Sequence, residues 1–159
     1  MPKVAIVMGS KSDLDVVKPA MSALEKFGIE SAVRVISAHR TPMEAHDFAS
    51  KAKAGGIEVI IAAAGKAAHL AGVLASYTTL PVIGIPVFGA AAAGLDSLLS
   101  MVQMPAGVPV ATVAINGAEN AAILAAQILA LKYPKIDKKL AEHKAEMERK
   151  VIEDDKSVN

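Results

Sequence analysis

The sequence predicts one α/β domain, a three-layer sandwich with helices over both faces of a parallel five-stranded sheet. Three observations predict it. Short β-branched apolar runs alternate with segments of helical period. The runs show none of the polar alternation of half-solvated strands, so they read as strands buried on both faces. A chain of 159 residues is long enough for one sizeable core and too short for two ordinary domains.

Each element has its own signal. Lys3 to Met8 is a continuous apolar run ended by Gly9. From Asp13 onward Val16, Val17, Ala20, Ala23, Leu24 and Phe27 recur at helical spacing, and Gly28 supplies the stop. A second strand is expected over residues 32–36. Thr41-Pro42-Met43-Glu44 combines an N-cap hydroxyl, a proline at the first helical position and a glutamate three residues after the cap, so a helix should run to Ala54 and break at Gly55-Gly56. Residues 59–63 form the third strand. Helices over 67–76, 96–102 and 119–131 then alternate with strands over 82–85 and 110–115. Such alternation implies a parallel sheet covered on both faces, and a flavodoxin-like order 2-1-3-4-5 suits it. Ile136, Leu140, Met147 and Val151 lie near one face of a charged terminal segment, so residues 134–159 should be an amphipathic helix and tail belonging to the same domain as residues 1–133.

Composition excludes several classes of function. Seventeen basic and sixteen acidic residues leave a net charge of +1, too little to gather nucleic acid or an anionic membrane, so an anionic ligand must be held locally. With two Tyr, three Phe and no Trp, there is little material for base-stacking platforms. The absence of cysteine rules out disulfides and thiolate metal sites and fits a cytoplasmic protein. Residues 67–95 carry no Asp, Glu, Lys or Arg, yet Pro81, Pro86 and several glycines divide them into short pieces that suit a buried core, not a membrane span. The first apolar run is too short for an export signal. No His-Glu-x-x-His spacing occurs, and metal catalysis is not expected.

In open parallel sheets ligands bind beyond the carboxyl ends of the strands, where strand order reverses. Three loops meet there in a 2-1-3 order: Met8-Gly9-Ser10-Lys11-Ser12-Asp13, Ser37-Ala38-His39-Arg40-Thr41-Pro42 and Ala64-Gly65-Lys66-Ala67-Ala68-His69-Leu70. The first offers glycine and hydroxyls at a helix start, where an anion could sit, though Ser12 or Asp13 capping the helix is the plainer reading. In the second, Arg40 suits bidentate phosphate contact and His39 lies beside it just before a capped helix, though a surface His-Arg pair in a turn is common and explains both equally. The third adds Gly65, for close backbone approach, and His69, which a structural hydrogen bond would equally explain. His46 and His143 read as surface or packing residues. The helix over 119–131 is apolar on nearly all sides, more than one sheet face can bury, and a subunit interface would use the surplus.

These loops, with Leu-Pro-Val-Ile-Gly-Ile-Pro-Val at 80 to 87, Asp-Ser-Leu-Leu-Ser-Met-Val-Gln-Met-Pro at 96 to 105, Pro-Val-Ala-Thr-Val-Ala-Ile at 109 to 115 and Asn-Ala-Ala at 120 to 122, resemble the class I 5-(carboxyamino)imidazole ribonucleotide mutases of purine biosynthesis. The resemblance implies a flavodoxin-like homo-octamer, without metal or organic cofactor, that moves a carboxylate from the exocyclic nitrogen of the ribonucleotide to the neighbouring ring carbon. By motif position it implies that Ser10, Ser12, Asp13, Ser37 and Arg40 bind the ribose and phosphate, that Ala38 also contacts the substrate, and that His39 is the acid–base residue. Gly65, Ala68 and Leu70 would shape the pocket for the base, with His69 close by.

The chemistry suits these residue types. Losing the carbamate requires a proton delivered to nitrogen, and restoring the aromatic ring after attack at carbon requires one removed. A tight uncharged pocket would hold carbon dioxide beside the ring between the two steps. Two competing readings are a class II carboxylase using free carbon dioxide, from which Arg40 and the Ala-Ala-His-Leu run distinguish this chain, and a non-catalytic nucleotide-binding relative. The chain departs from the family pattern at Ala63, Lys66 and Ala71 in the third loop and in the alanine-rich stretch 88–93. The ammonium of Lys66 is expected to stay in water, because burying it without a partner is costly.

Overall fold

The computed structural model describes residues 1–158; Asn159, the end of the expected tail, lies outside the described residues. Five strands, β1 (Lys3–Met8), β2 (Glu30–Val35), β3 (Val59–Gly65), β4 (Val82–Val87) and β5 (Ala111–Thr112), form one sheet in the order β2-β1-β3-β4-β5. Every pairing is parallel, with Val4 level with Ser31 on one side and Val59 on the other. The helices are α1 (Leu14–Phe27), α2 (Pro42–Ala52), α3 (Leu70–Ser76), α4 (Leu95–Val102), α5 (Ala118–Ala130) and α6 (Pro134–Val158). The expected three-layer architecture and strand order are both observed.

Because side chains alternate across a strand, β1 and β3 each feed two cores. Val4, Ile6 and Met8 with Ile61 and Ala63 pack under α1, α5 and the start of α6. Ala5 and Val7 with Ile60 and Ala62 pack under α2, α3 and Met101 of α4. Gly84 has a packing reason, since a Cβ there would sit 2.9 Å from Sδ of Met101. Gly28 ends α1 as expected, in the left-handed region at φ +75°, with its N–H on the carbonyls of Glu25 and Leu24.

Several boundaries differ from the sequence reading. The second strand begins earlier, at Glu30, and lies half-covered at the sheet edge. The fifth strand has two residues instead of six. Past it Val113 still donates to the Gly84 carbonyl, but Asn116 turns left-handed at φ +56° and its Oδ1 accepts the Phe88 N–H at 2.9 Å, so the ladder gives way to a clamp between two loops. The third helix starts at Leu70, not 67, because Lys66 is left-handed and the His69 N–H closes a tight turn on the Ala67 carbonyl.

The capping box at Thr41 does not form. The Thr41 hydroxyl instead donates to the Ser37 carbonyl at 3.0 Å and accepts the Ser37 N–H at 3.0 Å, so it staples the preceding loop. Most of the apolar surplus of α5 is absorbed within the subunit, because Ile123, Leu124 and Ile128 are partly buried against the first core. Exposed apolar side chains lie on α4 instead. Leu95, Leu99 and Val102, 47–55% exposed, form a stripe at helical spacing.

The terminal helix buries apolar groups only at its beginning, and farther along Glu146 pairs with Lys26 of α1 at 3.2 Å. Ile136 is buried, Leu140 is half-covered and the His143 ring meets Phe27 edge-on at 5.6 Å, while Lys139 donates to the Lys26 carbonyl at 2.9 Å. Met147 and Val151, expected on the docking face, are exposed, as is every side chain over residues 144–158. His46, on α2, pairs with Asp47 and packs on Tyr77. Among the described residues no helix is long and apolar enough to cross a membrane.

At the amino-terminal end of the sheet, Glu58 accepts the Tyr133 hydroxyl at 2.7 Å and the Lys132 ammonium at 2.8 Å, tying the entry of β3 to the α5–α6 turn. Burial pushes the Glu58 carboxyl up, but hydrogen bonds from Lys132 and Tyr133 and the charge of Lys132 together outweigh it and hold the group below the usual glutamate range. A depressed carboxyl stabilises the fold above its unfolded pKa, and the contribution is lost as pH falls through the folded value. Tyr133→Phe should therefore cost about 1 kcal/mol at neutral pH in urea unfolding. The stability gap between wild type and Glu58→Gln should narrow below about pH 4. An unchanged gap there would show that the charge of Glu58 is not what ties these elements.

Candidate active site

The carboxyl ends of β1 to β4 open into one cleft of about 660 Å³. Ser10, Ser12, Asp13, Ser37, Ala38, His39, Arg40, Gly65, His69 and Leu70 all line it, so residues from three separate loops meet as expected. Ala68 does not. It is 1% exposed and packs into the second core behind the loop, so it supports the cleft without facing it. A fourth loop also contributes, through Val87, Phe88 and Gly89. The sequence reading missed it, although the same strand-end rule applied to β4 would have included it.

The first loop is held by its own hydroxyls. Ser10, extended at φ −149°, caps the short 3₁₀ turn Lys11–Asp13 and accepts the Ser12 N–H at 3.3 Å, while Ser12 Oγ donates to Ser10 Oγ at 2.9 Å. Neither Ser12 nor Asp13 caps α1. Asp13 is half-buried, and burial pushes its carboxyl up against a hydrogen bond from the Ser10 backbone that lowers it. The plain capping reading of this loop therefore belongs to Ser10, and the Asp13 carboxylate is left facing the cleft.

The second loop is anchored on the first. The Arg40 N–H reaches Ser37 Oγ at 3.1 Å, Arg40 Nε approaches the same oxygen at 3.3 Å, and Arg40 Nη2 donates to the Gly9 carbonyl at 3.1 Å. Two of the fork's nitrogens are thus spent on orientation, and Nη1 remains for a ligand. From the same turn His39 projects toward the third loop, where its Nε2 lies 2.8 Å from Nδ1 of His69 with the rings edge to face. This contact needs a proton on one nitrogen and a lone pair on the other. Among the described residues His39 Nδ1 and His69 Nε2 take no hydrogen bond, and both rings line the cleft.

The third loop departs from expectation in one respect. A Cβ at Gly65 would meet Val87 at 3.5–3.6 Å, an ordinary contact, so packing within the protein does not demand glycine there. Lys66 beside it is left-handed at φ +57° and exposed at the cleft. Among the described residues no three His, Asp or Glu side chains gather into a set that would hold a metal ion.

Comparison with known proteins fits this geometry. Residues 3–150 match the family model described as AIR carboxylase. The N5-carboxyaminoimidazole ribonucleotide mutase of Thermotoga maritima is 59% identical over 153 residues, covering 96% of this chain and 90% of the relative. The Pyrococcus horikoshii protein of the same name is 59% identical over 152 residues, covering 96% and 86%. A crystal structure of Treponema denticola PurE superposes with a TM-score of 0.92 at 31% identity, covering 100% of this chain and 99% of that one. Whole-chain identity at this level, with the same fold and the cleft residues in one place, settles descent: the chain belongs to the AIR carboxylase family.

Proposed function

We propose that this chain is an enzyme of purine biosynthesis, a 5-(carboxyamino)imidazole ribonucleotide mutase, and in reaction class an isomerase that forms 4-carboxy-5-aminoimidazole ribonucleotide on the way to IMP. The observation that carries the reading is the His39–His69 contact in a cleft at the sheet's switch point, in a chain 59% identical to mutases over nearly its whole length.

The pair suits a reaction that consumes one proton and returns one. With a single positive charge shared between the rings, His39 carries a proton on Nδ1, a second proton lies between Nε2 of His39 and Nδ1 of His69, and a third sits on His69 Nε2. His39 gives its Nδ1 proton to the exocyclic nitrogen as the bond from that nitrogen to the carboxylate breaks, releasing carbon dioxide. The shared proton settles on His39 Nε2, both rings are neutral, and Nδ1 is now a base. After the ring carbon attacks carbon dioxide, Nδ1 removes the proton from that carbon and the charged pair is restored. Atoms and charge balance without a redox partner, so the step needs neither an organic cofactor nor a metal.

The remaining cleft residues take binding roles. Arg40, Ser10, Ser12, Asp13 and Ser37 hold the ribose phosphate, with Arg40 already oriented by Ser37 and Gly9. Ala38, Gly65, His69 and Leu70 surround the base, and Ala68 sets the loop from behind. Residues 1–133 form the catalytic domain and 134–159 its terminal helix and tail. We place the enzyme in the cytoplasm as a homo-octamer, a state supported by the exposed Leu95, Leu99 and Val102 stripe.

An assay at low bicarbonate should show transfer from the carbamate. Activity only with the aminoimidazole ribonucleotide and free carbon dioxide would instead make it a carboxylase. His39→Asn should lower turnover by about 10²–10⁴-fold while nucleotide still binds in calorimetry; near-normal turnover would sink the proton-transfer role. Arg40→Ala should weaken nucleotide binding, and an analogue lacking the phosphate should lose little further affinity in that variant. Fully additive losses would place Arg40 on another group. Light scattering at micromolar concentration should give an octamer, and a monomer would refute the assembly.

A further inference from the structure

Three observations converge on Lys66, and the fold explains none of them. Its backbone is left-handed at φ +57°. There the Cβ of a lysine crowds the following carbonyl, a strain that glycine would not bear. Its ammonium makes no ion pair or hydrogen bond with any described residue, so nothing within the subunit offsets that strain.

The third observation is its place. Lys66 and Arg40 are the two Lys or Arg residues that line the cleft, and they stand on different sides of it. Arg40 is fastened near the ends of β1 and β2 by Ser37 and the Gly9 carbonyl. Lys66 follows the end of β3, beside Ala67, and the neighbouring loop after β4 brings Phe88 and Gly89, whose side chains offer no polar group. On that side Lys66 is the one Lys or Arg among the lining residues, beside the His39–His69 pair that the proton transfers occupy. Strain held at a ligand-facing position is a reason to look for a ligand contact.

The nucleotide of the mutase reading carries two anionic groups, a phosphate at the ribose end and a carboxylate on the base. With Arg40 assigned to the phosphate, the second cation matches the second anion. We infer that Lys66 binds the carboxylate borne by the base and so sets the preference of this site for carboxylated over uncarboxylated nucleotide. The inference rests on the mutase reading. The ammonium stays hydrated at the open cleft until ligand arrives, in keeping with its exposure, and a charged partner reached by a flexible stem needs no preformed socket.

Calorimetry with 4-carboxy-5-aminoimidazole ribonucleotide and with uncarboxylated 5-aminoimidazole ribonucleotide separates carboxylate from phosphate recognition. Lys66→Gly accepts the left-handed backbone, and Lys66→Met keeps the strained Cβ without the charge. Both variants should bind the carboxylated nucleotide about tenfold more weakly and the uncarboxylated one within about twofold of wild type, with Lys66→Arg retaining the preference. In turnover, both neutral variants should raise KM without lowering kcat. Equal weakening of both nucleotides would place Lys66 on the phosphate, and no weakening of either would leave it without a ligand role; each result overturns the inference while the mutase reading stands. Wild type that binds neither nucleotide would overturn that reading and this inference with it.

Discussion

A strand buried on both faces must be roofed by helices on both sides, and β1 and β3 impose this condition on the whole molecule. Alternate side chains of β1 enter opposite cores, Val4, Ile6 and Met8 into one and Ala5 and Val7 into the other. Neither core can form without its own helical layer, and a parallel sheet supplies the connections by making each crossover a helix. The order β2-β1-β3 then sends successive crossovers to opposite faces and leaves a gap between the loops beyond β1 and β3. The cleft is a by-product of satisfying two cores at once.

Chemistry was placed in that gap by short polar ties that replace ordinary caps. Thr41 and Ser37 close their loop on each other, Arg40 joins it to the Gly9 carbonyl, and the turn thereby aims His39 at His69. The Thr41 hydroxyl is a group the α2 terminus would otherwise use, so there local helix stability is exchanged for position at the site. The same economy holds in the loop after β4, where Asn116 leaves the β5 ladder to hold the Phe88 N–H and Ser97 Oγ holds the Val87 and Gly94 carbonyls.

The fold was legible in the sequence because its dominant signal, apolar period, is local. Strand count, helix count and the Gly28 stop followed from it, while the order 2-1-3-4-5 is one that suits such alternation. What escaped were features decided by contacts distant in sequence. The length of β5 depends on how Asn116 meets Phe88, 28 residues away. The fate of the α5 surplus depends on α1 and α6 lying against it, and periodicity cannot say which neighbour covers a face. In the site, residue types and strand-end position brought His39, Arg40, Asp13 and His69 together correctly. The motif could not show that Ala68 turns inward or that Ser10 rather than Ser12 takes the capping role, because both are set by packing and hydrogen bonds within the folded loops. The pairing of His39 with His69 joins residues 30 apart, and no spacing rule encodes it.

The terminal helix carries a thermodynamic consequence of its own. Beyond His143 every side chain of α6 is exposed over residues 144–158, with Glu146 paired to Lys26 of α1 at 3.2 Å, and an isolated helix of that length is marginal in water. The far end of α6 therefore opens at a lower free energy than the sheet, which is buried on both faces. Helicity in its last turns depends on hydrogen bonds within the helix itself and falls as temperature rises.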